Sequence, residues 1–241
     1  YDGVLGNILG SMIYTVFPFV LLGTMLERTG GGRSLIKIAF HLTRKYRGGP
    51  AHAAIMASSL FGTMSGGAVT NVVGTGVITI PMIKRRGFTP AFAGGVEATA
   101  SCGGQIMPPI MGSAALVMAD FTGISYLTII VAALVPALAY YASLFASVIF
   151  ESRRLGVKAV PDTDEGMGVE VQDFINLIMI VVPVTTVILA LSNGLSPAGS
   201  GLMALFILIP LTFFNPEIRQ NPFPVSYTHL RAHETRHDLV C

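Results

Sequence analysis

The sequence has no tryptophan, two cysteines and little charge, with only 12% of its 241 residues being Asp, Glu, Lys or Arg. A soluble globular protein carries about a quarter charged residues, so much of the usual solvating charge is missing. Against that lack, 52% of the residues are hydrophobic and the mean hydropathy is +0.67. The combination excludes a soluble enzyme and a disordered chain. A net charge of +2 leaves no basic face for nucleic acid. Cys102 and Cys241 are too few for a disulfide framework or a cysteine metal centre. What remains is a set of long apolar stretches separated by clustered charge, the pattern of an all-α polytopic membrane protein. Residue 1 is Tyr rather than Met, which reads as a fragment of a longer protein in which no leader can be assessed.

A membrane-crossing helix needs about 20 apolar residues. Asn7 to Leu26 meets that length. Ser34 to Tyr46 is basic and amphipathic, and reads either as an interfacial arm helix or as an ordinary connection. The stretch from Ala51 to Ile83 has no Asp, Glu, Lys or Arg, yet is flanked by Arg44-Lys45 and Arg47 on one side and Lys84-Arg85-Arg86 on the other. As one helix it would measure roughly 50 Å, too long for one crossing and too short for two. Gly62-Thr63-Met64-Ser65-Gly66-Gly67 breaks it in the middle. Basic clusters mark the cytoplasmic side, so both flanks are expected on one face and the segment is expected to be a re-entrant hairpin.

Phe88 to Ala119 contains Glu97 and a second break, Gly103-Gly104-Gln105-Ile106-Met107-Pro108-Pro109. Asp120 to Ser125 reads as an external turn without Lys or Arg, and Tyr126 to Phe150 as the return toward Arg153, Arg154 and Lys158. Phe174 to Leu191 and Ala198 to Phe214 are two further spans, and every Lys and Arg before residue 215 then falls on the cytoplasmic side. Ahead of both, after Phe150, the connector 151–173 carries Asp162, Asp164, Glu165, Glu170 and Asp173. Its Gly and Pro residues favour a solvated linker over a cation site. From Asn215 the composition changes. Val225 to Thr235 resembles translated adapter read-through, so His229, His233 and His237 are set aside with a tail, 215–241, that reads as non-native or disordered.

Breaking two helices inside a membrane frees backbone groups that hydrocarbon cannot satisfy, and the usual reason is a binding site at the breaks. Each first half-helix ends in free carbonyls suited to a cation, and each second half-helix begins with N–H groups suited to an anion. The carbonyl ends are expected near Phe61-Gly62 and Cys102-Gly103, and the amide ends near Gly67-Ala68 and at Pro109, where proline suits a first helical turn. Thr63, Ser65, Thr70, Asn71, Ser101 and Gln105 stand beside the breaks as hard oxygen donors. The competing reading is close helix contact through small residues such as Gly62-x-x-x-Gly66. Glu97 is read as a proton relay, a substrate contact, or a partner for the Lys84-Arg85-Arg86 turn or a helix N-terminus. His52 is read as an interfacial cap or a packing residue, and Cys102 as a small apolar one.

The runs Gly62 to Gly76, Ile80-Pro81-Met82, Arg86-Gly87-Phe88, Gly94 to Ala100 and Gly103 to Gly112 resemble the large membrane subunit of TRAP transporters, in particular the fused branch associated with TAXI-type binding proteins. The resemblance implies an ion-transporter-type elevator fold, here as one inverted repeat and the start of the second. On that reading residues 1–50 form a scaffold span and arm helix. Residues 51–120 form the transport-domain hairpin and broken helix, 121–173 the return span and connector, and 174–214 the start of the second repeat. The resemblance also implies Na+-coupled import of organic anions, carboxylates above all, across the bacterial inner membrane, with no cofactor beyond the coupling ion. A periplasmic substrate-binding protein and a small four-helix membrane subunit, or a fused equivalent, would be its partners. Carried over by motif, the Na+ ligands fall at Ser65, Gly66, Thr70, Asn71, Gly103, Gly104 and Gln105, and the substrate contacts at Gly67, Ala68, Pro108 and Pro109. An anion symporter without a binding protein, a channel and a purely structural subunit remain as alternatives. A serine hydrolase is disfavoured because Thr63, not Gly, stands two residues before Ser65. An ATP-driven pump is disfavoured by the lack of a phosphate-binding Gly-x-x-x-x-Gly-Lys loop.

Overall fold

The computed structural model describes residues 9–10, 12–28, 31–157 and 169–214, and among them the regular elements are helices without a strand. The tail from residue 215, the acids Asp162, Asp164 and Glu165, and Asn7 lie outside the described residues. A π-helical turn, Met12–Val16, runs into α1 (Phe17–Arg28). It is followed by α2 (Gly31–Thr43), α3 (Gly49–Ser65), α4 (Ala68–Arg85), α5 (Pro90–Gly103) and α6 (Ser113–Thr122). α7 (Tyr126–Arg154), α8 (Val171–Ser192) and α9 (Pro197–Phe214) complete the set.

Local chemistry sets the boundaries. α3 starts behind Gly48, whose φ of 74° suits glycine, with Pro50 in its first turn. It stops where Gly66 turns left-handed at φ 58° and returns its N–H to the Gly62 carbonyl. One extended residue, Gly67, then launches α4. α5 opens on Pro90 after Thr89, whose hydroxyl accepts the Phe92 N–H at 3.2 Å. α7 opens after Ser125, which accepts the Thr128 N–H at 3.2 Å.

α3 and α4 form an antiparallel hairpin. Ser58 faces Thr75 with 3.1 Å between the hydroxyls, and a β-carbon on Gly74 would lie 3.0 Å from the Phe61 ring. Toward the base, Ile55 shares an apolar cluster with Ile83. A β-carbon on Gly48 would sit 3.3 Å from Phe88 and 3.2 Å from Ser152. The two ends of the hairpin, the start of α5 and the end of α7 therefore meet at one end of the molecule, where the basic clusters also lie.

The amphipathic segment is a helix with its apolar face buried. Leu35, Ile36, Ala39 and Phe40 are covered, and Gly32 packs on Phe61 of α3. Its polar contact corrects the reading of Asp173 as part of a solvated linker. Asp173 is buried, with Ser34 Oγ donating to Oδ1 at 2.8 Å, Lys37 Nζ at 3.2 Å from Oδ2, and the Glu170 N–H donating to Oδ2 at 2.9 Å. Asn176 donates to Ser34 at 3.0 Å. An acid in the first turn of α8 satisfies an otherwise open backbone N–H, and in doing so ties α8 to α2.

α8 and α9 form a second hairpin, with α9 laid on α1 so that Gly201 meets Pro18 and Phe19. Tyr126–Arg154 and Val171–Ser192 are each long and apolar enough to cross a membrane. On α7, Val131, Val135 and Leu138 are exposed at i, i+4 and i+7. Such a contiguous apolar stripe is costly in water and natural against lipid or a protein partner.

Candidate functional site at the two helix breaks

The two breaks meet backbone to backbone. A β-carbon on Gly62 would overlap the Cα of Gly104, and one on Gly104 would lie 2.8 Å from the Cα of Gly62. One turn further along, a β-carbon on Gly66 would come within 2.8 Å of the Met111 carbonyl oxygen, and one on Gly112 within 3.2 Å of the Gly66 oxygen. Only glycine permits this approach. The second break is a loop, 104–112, closed by the Gly112 N–H donating to the Gln105 carbonyl at 2.8 Å. Tyr126 on α7 pins it by donating its hydroxyl to the Pro109 carbonyl at 3.0 Å and accepting the Met111 N–H at 3.4 Å.

A cavity of about 620 Å³ opens where the breaks face each other. Ser65, Gly66, Gly67 and Thr70 line it from the hairpin, and Gln105 and Gly112 from the loop, with Phe19 of α1 and Ile129 of α7 among its apolar walls. The Ser65 hydroxyl is buried and has no hydrogen-bond partner, a costly state unless a ligand completes it. The last turn of α3 ends at the cavity with Ser65 and Gly66, and α6 begins there, its first backbone bond running from the Ala115 N–H to the Gly112 carbonyl at 3.0 Å. Partial negative and partial positive helix ends thus share one space.

Two expected ends move. The carbonyl end of the hairpin is at Ser65 rather than Phe61-Gly62, because the left-handed residue that stops the helix is Gly66. The second amide end is at Ser113 rather than Pro109, because Tyr126 and Gln105 take the backbone of the intervening loop. The carbonyl end of α5 is also occupied. Tyr140 and Tyr141 of α7 donate to Thr99 O at 2.7 Å and Ala100 O at 3.0 Å. The Ser101, Cys102 and Gly103 oxygens accept the N–H groups of Gly104, Gln105 and Ile106.

Of the residues proposed from the sequence, Ser65, Gly66, Gly67, Thr70 and Gln105 come together around the cavity. Asn71, Gly103 and Gly104 stand behind it. Asn71 is buried and donates to the Ser58 carbonyl at 2.8 Å, Gly104 is wedged against Gly62, and Gly103 is wedged against Tyr140 and Tyr141. Ala68 starts α4, and Pro108 and Pro109 lie in the pinned loop, joined by a cis peptide bond. His52 is a packing residue, buried and stacked on Phe145 with 5.2 Å between ring centroids. Cys102 is exposed.

Glu97 is fully buried one layer below, and its carboxylate is met by neutral hydroxyls from three helices rather than by the Lys84-Arg85-Arg86 turn. Ser58 of α3 donates at 2.9 Å, Thr75 and Thr79 of α4 donate to the two oxygens, and Ser101 of α5 lies at 3.3 Å. Gly76 gives the room, since a β-carbon there would sit 3.1 Å from Glu97 Cγ. Sequence reasoning left Ser58, Thr75 and Thr79 out of the polar set. The signal available was spacing: Asn71, Thr75 and Thr79 recur every four residues on α4, and Glu97 and Ser101 are four apart on α5, so each group lines one helix face.

Mostly helical over its described residues, with an apolar stripe exposed on α7 and two helices long and apolar enough to cross a membrane, the chain is a helical membrane protein. The family model described as "Tripartite ATP-independent periplasmic transporter, DctM component" matches residues 4–240. The chain belongs to this family, whose members are transporter components and not enzymes. The match runs on through the tail that was set apart on composition. The uncharacterized protein y4mL of Sinorhizobium fredii is 30% identical over 178 residues, covering 74% of this chain and 42% of that protein. The C4-dicarboxylate TRAP transporter large permease protein DctM of Pseudomonas aeruginosa is 32% identical over 145 residues, 60% of this chain and 34% of the relative. The sialic acid TRAP transporter large permease protein SiaM of Vibrio cholerae is 32% identical over 106 residues, 44% and 25% respectively. The chain spans less than half the length of these curated relatives.

Proposed function

We propose that this chain supplies one ion- and substrate-binding repeat, with the start of a second, of a Na+-driven importer of organic anions in the bacterial inner membrane. The observation that carries this reading is the cavity at which both breaks open, with the buried Ser65 hydroxyl left without a partner. Na+ takes oxygen ligands, and Ser65, Gly66, Thr70 and Gln105, which line this space, carry the oxygens offered to it. Asn71, Gly103 and Gly104 set the position of those ligands from behind. The anion is drawn to the N-termini of α4, at Gly67 and Ala68, and of α6, at Gly112 and Ser113. Pro108 and Pro109 shape the loop that aims the second of these. A cation at the carbonyl ends and an anion at the amide ends attract one another, so binding of either raises the affinity for the other.

The relatives named for C4-dicarboxylates and for sialic acid share a carboxylate in their substrates, which supports a carboxylate here. The hairpin and broken helix are the parts that an elevator motion would carry past a scaffold that includes α1. Its re-entry from the cytoplasmic side is supported by the basic flanks meeting at one end. A periplasmic binding protein would deliver the anion, with a small membrane subunit completing the assembly. The test is uptake into proteoliposomes by the complete permease containing this chain, together with its binding protein. Transport should collapse without a Na+ gradient and without binding protein; uptake indifferent to both omissions overturns the proposal.

A further inference from the structure

A second cavity lies far along the hairpin from the breaks, between the α2–α3 turn and the last turns of α7, and measures about 490 Å³. We propose that it holds one anionic phospholipid of the cytoplasmic leaflet. The inference goes beyond the transport reading and shares with it only the placement of the basic ends at the cytoplasmic surface.

Three observations define the occupant. The interior is apolar, walled by Met56, Phe145 and Ile149. Arg47 and Arg153 stand in the lining, and both are exposed at its mouth, with no ion-pair partner among the described residues. His52, only 5% exposed, also lines the cavity and leaves its Nδ1 without a hydrogen-bond partner. A free phosphate would use the arginines and leave the apolar wall wet, while an uncharged chain would fill the wall and leave both guanidinium groups and the imidazole unused. A lipid with a phosphodiester and a headgroup hydroxyl uses all three. Its phosphate meets the two guanidinium forks, a hydroxyl reaches His52, and an acyl segment lies along Phe145 and Ile149. The surroundings fit, because Tyr46, Leu42 and Phe150 are exposed at the same end and aromatic and basic side chains collect where anionic headgroups lie.

The experiment is native mass spectrometry of the full chain in neutral detergent, offered equimolar phosphatidylglycerol and phosphatidylcholine. Phosphatidylglycerol should be retained preferentially. The Arg47→Gln/Arg153→Gln variant should lose about tenfold or more of that retention, since each basic side chain near an anionic headgroup contributes about fivefold. Lys84→Gln/Arg85→Gln, which removes the same charge outside the cavity, should retain it. Circular dichroism checks that both variants stay helical. If the first loses helicity, Arg153→Gln alone carries the test, with about fivefold expected. Equal retention of the two lipids, equal loss in both double variants, or displacement of the lipid by millimolar inorganic phosphate would each overturn the proposal, the last by showing a site for a free anion.

Discussion

Gly62 and Gly104, on opposite sides of the two helix breaks, touch through their bare backbones, with no room for a methyl group on either. Alanine is normally preferred over glycine in a helix by about 1 kcal/mol, so Gly62→Ala would be stabilising if propensity decided the outcome. Contact with backbone, which cannot rotate away, decides instead. Gly62→Ala and Gly104→Ala should each destabilise the chain by about 1–3 kcal/mol. Gly94→Ala and Gly95→Ala, with nothing within 4 Å of the added carbon, should be neutral or stabilising. Thermal unfolding in detergent of the four variants reads the contrast, and similar melting of all four would refute the contact.

The hydroxyl cage around Glu97 predicts a large effect from a residue distant from any ligand. Glu97→Ala removes an acceptor shared by four buried hydroxyls and opens a cavity, and should cost about 3 kcal/mol or more, while Thr79→Val, which removes one donor, should cost about 1–2 kcal/mol. Combining them should cost less than the sum, because the two substitutions remove the same Thr79–Glu97 contact. Strict additivity in thermal melts would argue against the cage.

Ser65 and Asn71 should separate by their readouts. Ser65 ends in the cavity without a partner, so Ser65→Ala should leave the melting temperature almost unchanged and raise the Na+ concentration needed for transport by the complete permease. Asn71 holds the Ser58 backbone, so Asn71→Ala should lower the melting temperature by several degrees, as the loss of about 1–2 kcal/mol requires. Matching effects of the two substitutions on both measurements would contradict this division.

The tie between α2 and α8 is a buried polar contact and should show coupling. A double-mutant cycle of Ser34→Ala with Asp173→Asn is expected to give about 1 kcal/mol. A value near zero would mean that α2 is attached only by its apolar face.

Much of this arrangement was legible in the sequence, and the reasons are physical. A charge-free run of awkward length with basic flanks has few solutions, and Ala51 to Ile83 folds back on itself as α3 and α4. Glycine clusters mark where backbones approach, so Gly62, Gly66, Gly104 and Gly112 fall at the breaks. The exact helix ends were not legible. Pro109 looks like a helix start by local preference, but its carbonyl belongs to Tyr126, 17 residues on. Asp173 looks like a linker acid among its neighbours, and only the approach of α2 makes it a buried anchor. Hydroxyls in an apolar run carry no mark of their partners, which is why Ser58, Thr75 and Thr79 went unnoticed beside Glu97.

The cage has a mechanical consequence. Its donors come from α3, α4 and α5, so sliding α4 past α5 would strip Glu97 of Thr75 and Thr79, and sliding α3 would strip it of Ser58. The three helices are therefore obliged to travel as a single piece. Any sliding the molecule performs is then expected at the outer seams of this piece, against α1 and α2 and along the tyrosines of α7.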